Sequence, residues 1–590
     1  MTKTRLAAAL SIALLVAPVS QAAKYRVVEL PVVGKGQSSF PTAINEEGNI
    51  TVNVGVPVSQ STPLSTPYNI PIDLDLLDFE SDTLVNLLTD IESARNGDFN
   101  SVDYEILLSL IRAADGQQSA QQIADTISFL ASENETTYMP GFDQLTDQGD
   151  VFAIASTTIV RDINDSGFTI GTSEGFYNKV DYTFESGDDV TFVVHEFGKR
   201  GFVSLDNTVV DLPAPATIAG GFSEAHGINN SNQVVGFGST LFQSDTLETR
   251  IASCESEELI DHDDDPATED QRYRGDVPVE SCISTTVDTL TNSVTSFTQL
   301  RGLIWQLDDQ GNVLNTKELG LLFEPEADDE TNYSSQALGI NDNGIAVGVS
   351  NGQYSENGVT VARNFGVIFD EDEVINLTPD PDSTVARTSN IISTATDINN
   401  DNLVVGYQVK SVNGTNRTKF FVYDMNLSEF TFPEDFFLGS ASVALDINNN
   451  GLVVGYGEVD APLTGRRTEG FMYDSNADEF YGIRDLISCD STYTIVQANS
   501  INDKNEIVAT ALFQGAARDS SGEIRLDSAG SEIIVDLVSA VKLVPVVGGE
   551  VENCETPEDE VNRDRQGASV SWMLAFGFIF LGWRRFKNKS

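Results

Sequence analysis

Histidine, tryptophan, cysteine and methionine are all scarce in this 590-residue chain, at three, three, four and five residues. The three histidines, His195, His226 and His262, leave few candidates for serine–histidine or metal–histidine chemistry. No Gly-x-Ser-x-Gly elbow accompanies them, and His226, just ahead of a repeated motif, reads as structural. Bases are short as well. Lys and Arg number 34 against 90 Asp and Glu, for a formal charge of -56. Phosphate contacts need Lys and Arg, so nucleic-acid binding is disfavoured, as is adsorption to an anionic membrane. A charge of this size suits solubility outside the cell. The four cysteines show no Cys-x-x-Cys spacing and no paired histidines, which argues against zinc. An even number in an exported chain points to disulfides, expected as Cys254–Cys282 and Cys489–Cys554 at roughly 3–4 kcal/mol each.

Long apolar runs are confined to the ends. Leu6 to Val16 follows Lys3 and Arg5 and precedes Ser20-Gln21-Ala22, the pattern of a secretory signal over 1–23. Residues 548–569 read as a polar, acidic linker. Val570 to Trp583 is shorter than the ~20 residues that cross a bilayer comfortably, and Arg584-Arg585-Phe586-Lys587 behind it would stay cytoplasmic. A permanent membrane anchor over 570–590 is the alternative to a sorting segment.

Between the ends lies a repeat. Its clearest copy is Asp446-Ile447-Asn448-Asn449-Asn450-Gly451-Leu452-Val453-Val454-Gly455, and the seven copies carry their isoleucines at Ile44, Ile163, Ile228, Ile340, Ile398, Ile447 and Ile501. An apolar residue, an Asn/Asp/Gly corner and a second apolar run make a hairpin signal. Another β-like segment follows, as in Gly366-Val367-Ile368-Phe369-Asp370 and Phe420-Phe421-Val422-Tyr423-Asp424. One unit is therefore four short strands, and such units in series predict a β-propeller. The expected fold is all-β with seven blades over 24–547. Strands near Tyr25 and after Ile533 are expected to close the ring in one blade.

Two gaps, Ile44 to Ile163 and Ile228 to Ile340, are about twice the normal step, and each holds an insertion. The first, 73–139, reads as three helices from the apolar spacing of Leu84/Leu87/Leu88/Ile91, Tyr104/Leu107/Leu108/Ile111 and Ile123/Ile127/Leu130. Ser81, Ser101 and Ser119 are the expected N-caps. The second, 243–299, reads as a polar, disulfide-bearing loop. Its Asp261, Asp263, Asp264 and Asp265 are donors that Ca²⁺ would use, against the plainer reading of a solvated acidic loop. The corners themselves resemble half a calcium loop, but Gly457 and Gln408 stand where the closing acid belongs, so a structural turn explains them better.

One charge pattern stands out. Bases recur ahead of the second hairpin at Arg200, Arg301, Arg363, Arg417 and Arg466. Equivalent positions in successive blades make a ring, which could take an anionic glycan or phosphate. The competing reading pairs each with an acid of its own blade, such as Asp370, Asp424 or Asp474.

The motif Ala-x-x-Ile-Asn-Asn-x-Gly-x-Val-Val-Gly, followed by a Phe-rich strand, resembles the bacterial HAF-type extracellular repeat. Gly567-Ala568-Ser569, the short apolar run and the terminal arginines resemble a GlyGly-CTERM sorting tail, with Ala568 in place of the second glycine. The whole layout is similar to a gammaproteobacterial family of exported proteins of unknown function. That resemblance implies clipping by a sorting protease, export machinery as a partner, and a cell-surface or extracellular address after transient anchoring in the inner membrane. It brings no catalytic residues. The functional expectation is a non-enzymatic binding module, with an extracellular polysaccharide hydrolase or lyase as the alternative.

Overall fold

The computed structural model describes residues 24–552 and 554, apart from 33, 56–66, 115, 147–148, 207, 243, 261–270, 327 and 461–464. The signal segment, the acids Asp261 to Asp265 and the segment 570–590 lie outside the described residues. Among the described residues no helix is long and apolar enough to cross a membrane.

Seven four-stranded antiparallel sheets follow one another along the chain. Their first strands are Ser39–Ile44, Thr158–Ile163, Ser223–Ile228, Ser335–Ile340, Ser393–Ile398, Ser442–Ile447 and Thr494–Ile501. Each touches the first strand of the next sheet, and the seventh touches the first. This is a seven-bladed β-propeller with those strands around its axis. The ring closes in blade 7, where the N-terminal strand Tyr25–Glu29 pairs with Ile534–Pro545, from Tyr25 opposite Pro545 to Glu29 opposite Val541. Closure by both ends of the chain leaves neither terminal strand with a bare edge inside the ring.

The core is distributed between the blades rather than gathered at one centre. Phe168, Ile170, Val203 and Leu212 of blade 2 pack on Ile228, Leu303 and Trp305 of blade 3. Phe420 and Val422 of blade 5 pack on Ile447, Phe471 and Tyr473 of blade 6.

The glycine that ends most of the repeated Val-Val-Gly runs has a steric cause. Each first strand carries a bulge, and the glycine sits opposite the residue before it. A Cβ on Gly236, Gly348, Gly406 or Gly455 would lie 1.9–2.1 Å from a carbonyl oxygen of its own first strand. Blade 7 carries Ala509 here, and its first strand compensates with two register shifts in place of one. We expect Gly348→Ala to cost about 3 kcal/mol, because backbone must move. Gly344→Ala, where φ is 82° but the nearest atoms are a flexible Gln233 tail, should cost about 1 kcal/mol. Chemical denaturation of the two variants checks the ranking.

The first insertion is helical, as the sequence implies, except in its last segment, and the second holds more helix than the sequence implies. In the first, helices cover Asp82–Leu87, Ile91–Ala94 and Ser101–Ala113. The expected third helix is instead the third strand of blade 1, Thr126–Ala131, paired on both sides. A strand covered on both faces reads as an apolar run, so the spacing of Ile123, Ile127 and Leu130 did not discriminate. Ser81 caps as expected, but Asn100 rather than Ser101 caps Ser101–Ala113, the longest helix of this insertion. The second insertion is helical rather than loop-like, with helices at Thr246–Glu255, Val279–Asn292 and Val294–Phe297. Cys254–Cys282 joins the first two, at a Cα–Cα distance of 5.6 Å. A sparse stripe of Val287 and Leu290 packs on Leu247 and Ala219, too thin to stand out in a polar sequence. Cys489 and Cys554 are also oxidised.

Candidate functional site

At each of the seven corners the asparagine after the isoleucine is buried, 3–4% exposed. Its Oδ1 accepts from the backbone N–H four residues on, at 2.9–3.0 Å. Its Nδ2 donates to the carbonyl of the equivalent asparagine in the next blade, at 2.9–3.1 Å. The chain of bonds runs Asn45, Asn164, Asn229, Asn341, Asn399, Asn448, Asn502 and back to Asn45, a closed circle. A second circle lies beside it. The backbone N–H groups of Glu46, Asp165, Asn230, Asp342, Asn400, Asn449 and Asp503 each donate to a side-chain oxygen of the same position one blade on. The fourth corner residue has positive φ in every copy, glycine in four and asparagine in three. This face is therefore a structural lock: the buried asparagine oxygens close their own corners, while their amide N–H groups and the side-chain oxygens of the second circle tie neighbouring blades.

Just inside the lock stand three carboxylates near the axis. Asp162 Oδ2 accepts from Ile228 N at 2.9 Å, and Asp446 Oδ2 from Ile501 N at 2.8 Å. Asp397 Oδ2 reaches Ile447 N at 3.2 Å, while Asp446 Oδ1 accepts from the same N–H at 2.7 Å. Two carboxylates thus converge on one donor. Burial, then the charge and hydrogen bond of Asp446, push the Asp397 carboxyl well above the usual range. Asp162 is raised by burial to about 7, with Asp446, on blade 6, adding to the rise.

Further along the axis, Arg161 of blade 2 lies 3.8 Å from Glu224 of blade 3, and His226 Nε2 lies 3.4 Å from the same Glu224 oxygen. Burial and then the Arg161 charge lower the His226 pKa. Burial alone would raise Glu224, but the hydrogen bond and charge of His226 and the charge of Arg161 outweigh it and lower its pKa. Arg161 Nε is buried without a hydrogen-bond partner among the described residues. Sequence reasoning placed no function at Arg161, Glu224, Asp162, Asp397 or Asp446; only the ring brings these positions, from separate copies, to one axis.

The connections between second and third strands leave from the opposite face, and there the blades differ. Blades 4 and 5 turn directly, at Glu356–Val359 and Val412–Thr415. Blades 1, 2 and 3 insert residues 56–125, 175–198 and 243–297, and these segments interlock. Gln118 Nε2 donates to Ser281 O at 2.9 Å, His195 Nε2 meets Gln122 Oε1 at 2.8 Å, and Lys179 binds Asp73 at 2.8 Å. His195, isolated in the sequence, is thus a tie between insertions, and burial lowers its pKa. A cleft of about 520 Å³ runs between the first two, lined by Asp75, Asp78, Asp181, Asp189 and Tyr182. Blade 7 joins the group through Asn69 N, which donates to Ser520 O at 3.0 Å.

The five basic positions lie near the starts of third strands, toward this inserted face, and most are engaged locally. Arg200 donates to Gly220 O, lies 3.3 Å from Asp211 and covers the Phe197 ring at 4.1 Å. Arg301 donates to the carbonyls of Leu300 and Tyr333, at 2.9 and 2.8 Å. Arg363 donates to Ala386 O and Ala362 O, at 2.6 and 2.8 Å. Arg466 pairs with Glu458. Arg417 sits opposite Lys410 in the blade 5 hairpin. Asp424 and Asp474 cap their own turns instead, accepting from Asn426 N and Asn476 N.

A model of a family described as a protein of unknown function (DUF3466) matches residues 4–586, nearly the whole chain. The chain belongs to that family. Among curated proteins none matches it. Similar solved structures include an acylaminoacyl peptidase from Pyrococcus horikoshii, at 10% identity and a TM-score of 0.30, covering 84% of this chain and 51% of that one. A puromycin hydrolase follows at 8% identity and a TM-score of 0.30, covering 84% of this chain and 62% of that one. This chain thus spans about half to three fifths of those proteins, and likeness at these scores says nothing about chemistry.

Proposed function

We propose that this family member is an exported scaffold that binds its ligand without turning it over, and that the inserted face is where it binds. The contrast between the two faces carries this reading. Fourteen inter-blade hydrogen bonds lock the corner face, whereas segments of unequal length and composition build the other. Recognition on repeat scaffolds concentrates in such variable loops held by a rigid frame. An anionic glycan is the ligand class that Arg363, Arg417 and Arg466 would take on the sector without large insertions.

A second reading, cleavage of an extracellular polysaccharide, is favoured by the Asp397–Asp446 pair. A carboxyl that burial holds above its usual range, beside a second carboxyl, offers the kind of paired acids that glycoside cleavage uses. The mature chain should be screened on a glycan array and against soluble polysaccharides, with and without Ca²⁺. We expect binding without turnover, weakened at least tenfold by combined Arg363→Gln, Arg417→Gln and Arg466→Gln. Release of new reducing ends that Asp446→Asn abolishes would replace the binding reading with the hydrolase. Intact mass of secreted protein tests the address: a chain lacking residues beyond about 569 supports clipping of the tail.

A further inference from the structure

The helical part of the first insertion carries more apolar surface than its own packing uses. In Ser101–Ala113, Leu107, Leu108 and Ile111 are buried inward. A second stripe, Val102, Ile106 and Leu110, recurs every four residues; Ile106 and Leu110 pack against the insertion's core with one side and stay half-buried, while Val102 stands free of it. Val102 is 55% exposed, and Leu87, which lines the same groove, is 46% exposed. Leu87, Val102, Ile106 and Leu110 line a groove of about 480 Å³ whose other lining includes Glu105 and, from the blade 7 connection, Asp519.

The platform under the groove is firmly tied. Buried Asp103 accepts from Thr89 N at 2.7 Å, Asp90 N at 2.9 Å and Asn100 Nδ2 at 2.7 Å, fixing the three helices to one another. Groove geometry is thus set before any ligand arrives, which lowers the entropic cost of binding.

The charge decides among occupants. A second copy would bring another -56 against the same acidic surroundings, and an anionic membrane would be repelled for the same reason. Two bases of the neighbouring segments are engaged elsewhere: Arg95 pairs with Glu80 at 2.7 Å, and Arg518, next to the lining Asp519, donates to Gly522 O at 2.7 Å. An aliphatic stripe bordered by carboxylates complements a segment with aliphatic residues at helical spacing and Lys or Arg flanks. We propose that this groove docks a basic amphipathic segment of a partner protein. The proposal rests on reading the inserted face as a binding surface, yet it has its own readout, because the groove variants leave the arginines of the glycan test untouched.

The probe is an 18-residue amphipathic peptide of leucine and lysine, titrated into the full mature chain by fluorescence anisotropy. A scrambled peptide of the same composition has no apolar stripe. The expected result is saturable binding of the striped peptide, at least tenfold weaker in Val102→Ser/Ile106→Ser and about threefold weaker in Glu105→Gln/Asp519→Asn. Leu87→Ser, at a largely exposed side chain, is the second variant should Ile106→Ser loosen the helix, and should weaken binding at least threefold. Equal binding of the scrambled peptide, or unchanged affinity in Val102→Ser/Ile106→Ser and Leu87→Ser, overturns the proposal. So does a dimer in sedimentation that the serine variants dissolve, which would assign the groove to a second copy.

Discussion

Asn448→Asp is expected to lower stability by about 3–5 kcal/mol at pH 8, one of the largest effects of any single substitution in this chain. The change is nearly isosteric and keeps Oδ1, which accepts from Leu452 N at 2.9 Å. It removes the Nδ2 that donates to Asn502 O and to Asn505 Oδ1, both at 2.9 Å. A carboxylate there would face two oxygens at a site only 4% exposed, with no donor to offer either. Asn448→Ala lacks the same bonds but adds no charge, so it should cost about 2–3 kcal/mol. The order of the two should reverse or close near pH 4, where the introduced carboxyl is protonated and regains an O–H to donate. Guanidinium unfolding at pH 4 and pH 8 measures this. Equal midpoints for wild type and Asn448→Asp at pH 8 would show that the circle of asparagines contributes nothing.

The second large effect is a dependence on pH set by the axial carboxylates. Folding raises Asp162 from its ordinary 3.8 to about 7, and raises Asp397 in the same direction. The folded state therefore holds protons that the unfolded chain releases. Their stabilising contribution is complete below about pH 4 and is lost as pH rises through the folded-state values. For Asp162 the shift corresponds to at most ~4 kcal/mol between pH 4 and pH 8. Self-repulsion of the acidic chain runs in the same direction, so the comparison must be between variants. Asp162→Asn keeps an oxygen for Ile228 N and removes the charge. It should match wild type at pH 4 and exceed it by ~2–4 kcal/mol at pH 8. Charged groups one row away along the axis, Arg161, Glu224 and His226, remain in both proteins. Identical pH profiles for the two would refute the assignment.

Much of the architecture is legible in the sequence because its corners are written in residues with few other uses. Asn and Gly tolerate positive φ, and an Ile-Asn corner repeated seven times counts the blades. The inter-blade clasps are equally periodic but harder to notice. Five residues before the isoleucine stands Ser39, Ser223, Ser335, Ser393 or Ser442 in five of the copies. The serine hydroxyls accept from Ala540 N, Gly201 N, Gly302 N, Gly366 N and Phe420 N of the preceding blades, at 2.9–3.2 Å. A serine in a polar-looking stretch does not announce a buried acceptor. Asp397 and Asp446 were visible only as the first acids of half a calcium loop, because each also reaches a backbone N–H of the next blade, which no local pattern shows. The first copy runs Ile50-Thr51-Val52-Asn53-Val54-Gly55 where the others approach Val-Val-Gly, and this concealed another clasp: Asn53 Nδ2 donates to Val160 O and its Oδ1 accepts from Val160 N. The insertions were least legible. Their helices are short and sparsely apolar, and the strand after them is covered on both faces, where helical and strand periodicities look alike.

Closure of blade 7 by both chain ends bears on how the protein comes to exist. The strand Tyr25–Glu29 is made before every other strand of the ring, yet its partner Ile534–Pro545 is the ring's last. Until that partner appears, blade 7 is incomplete and its asparagine, Asn502, cannot hold Asn45. The nascent chain is thus an open arc with an unguarded strand at each end, and ring closure is a late event of very high sequence separation. A chain truncated before about residue 530 should be prone to edge-to-edge association, whereas the full-length ring should not.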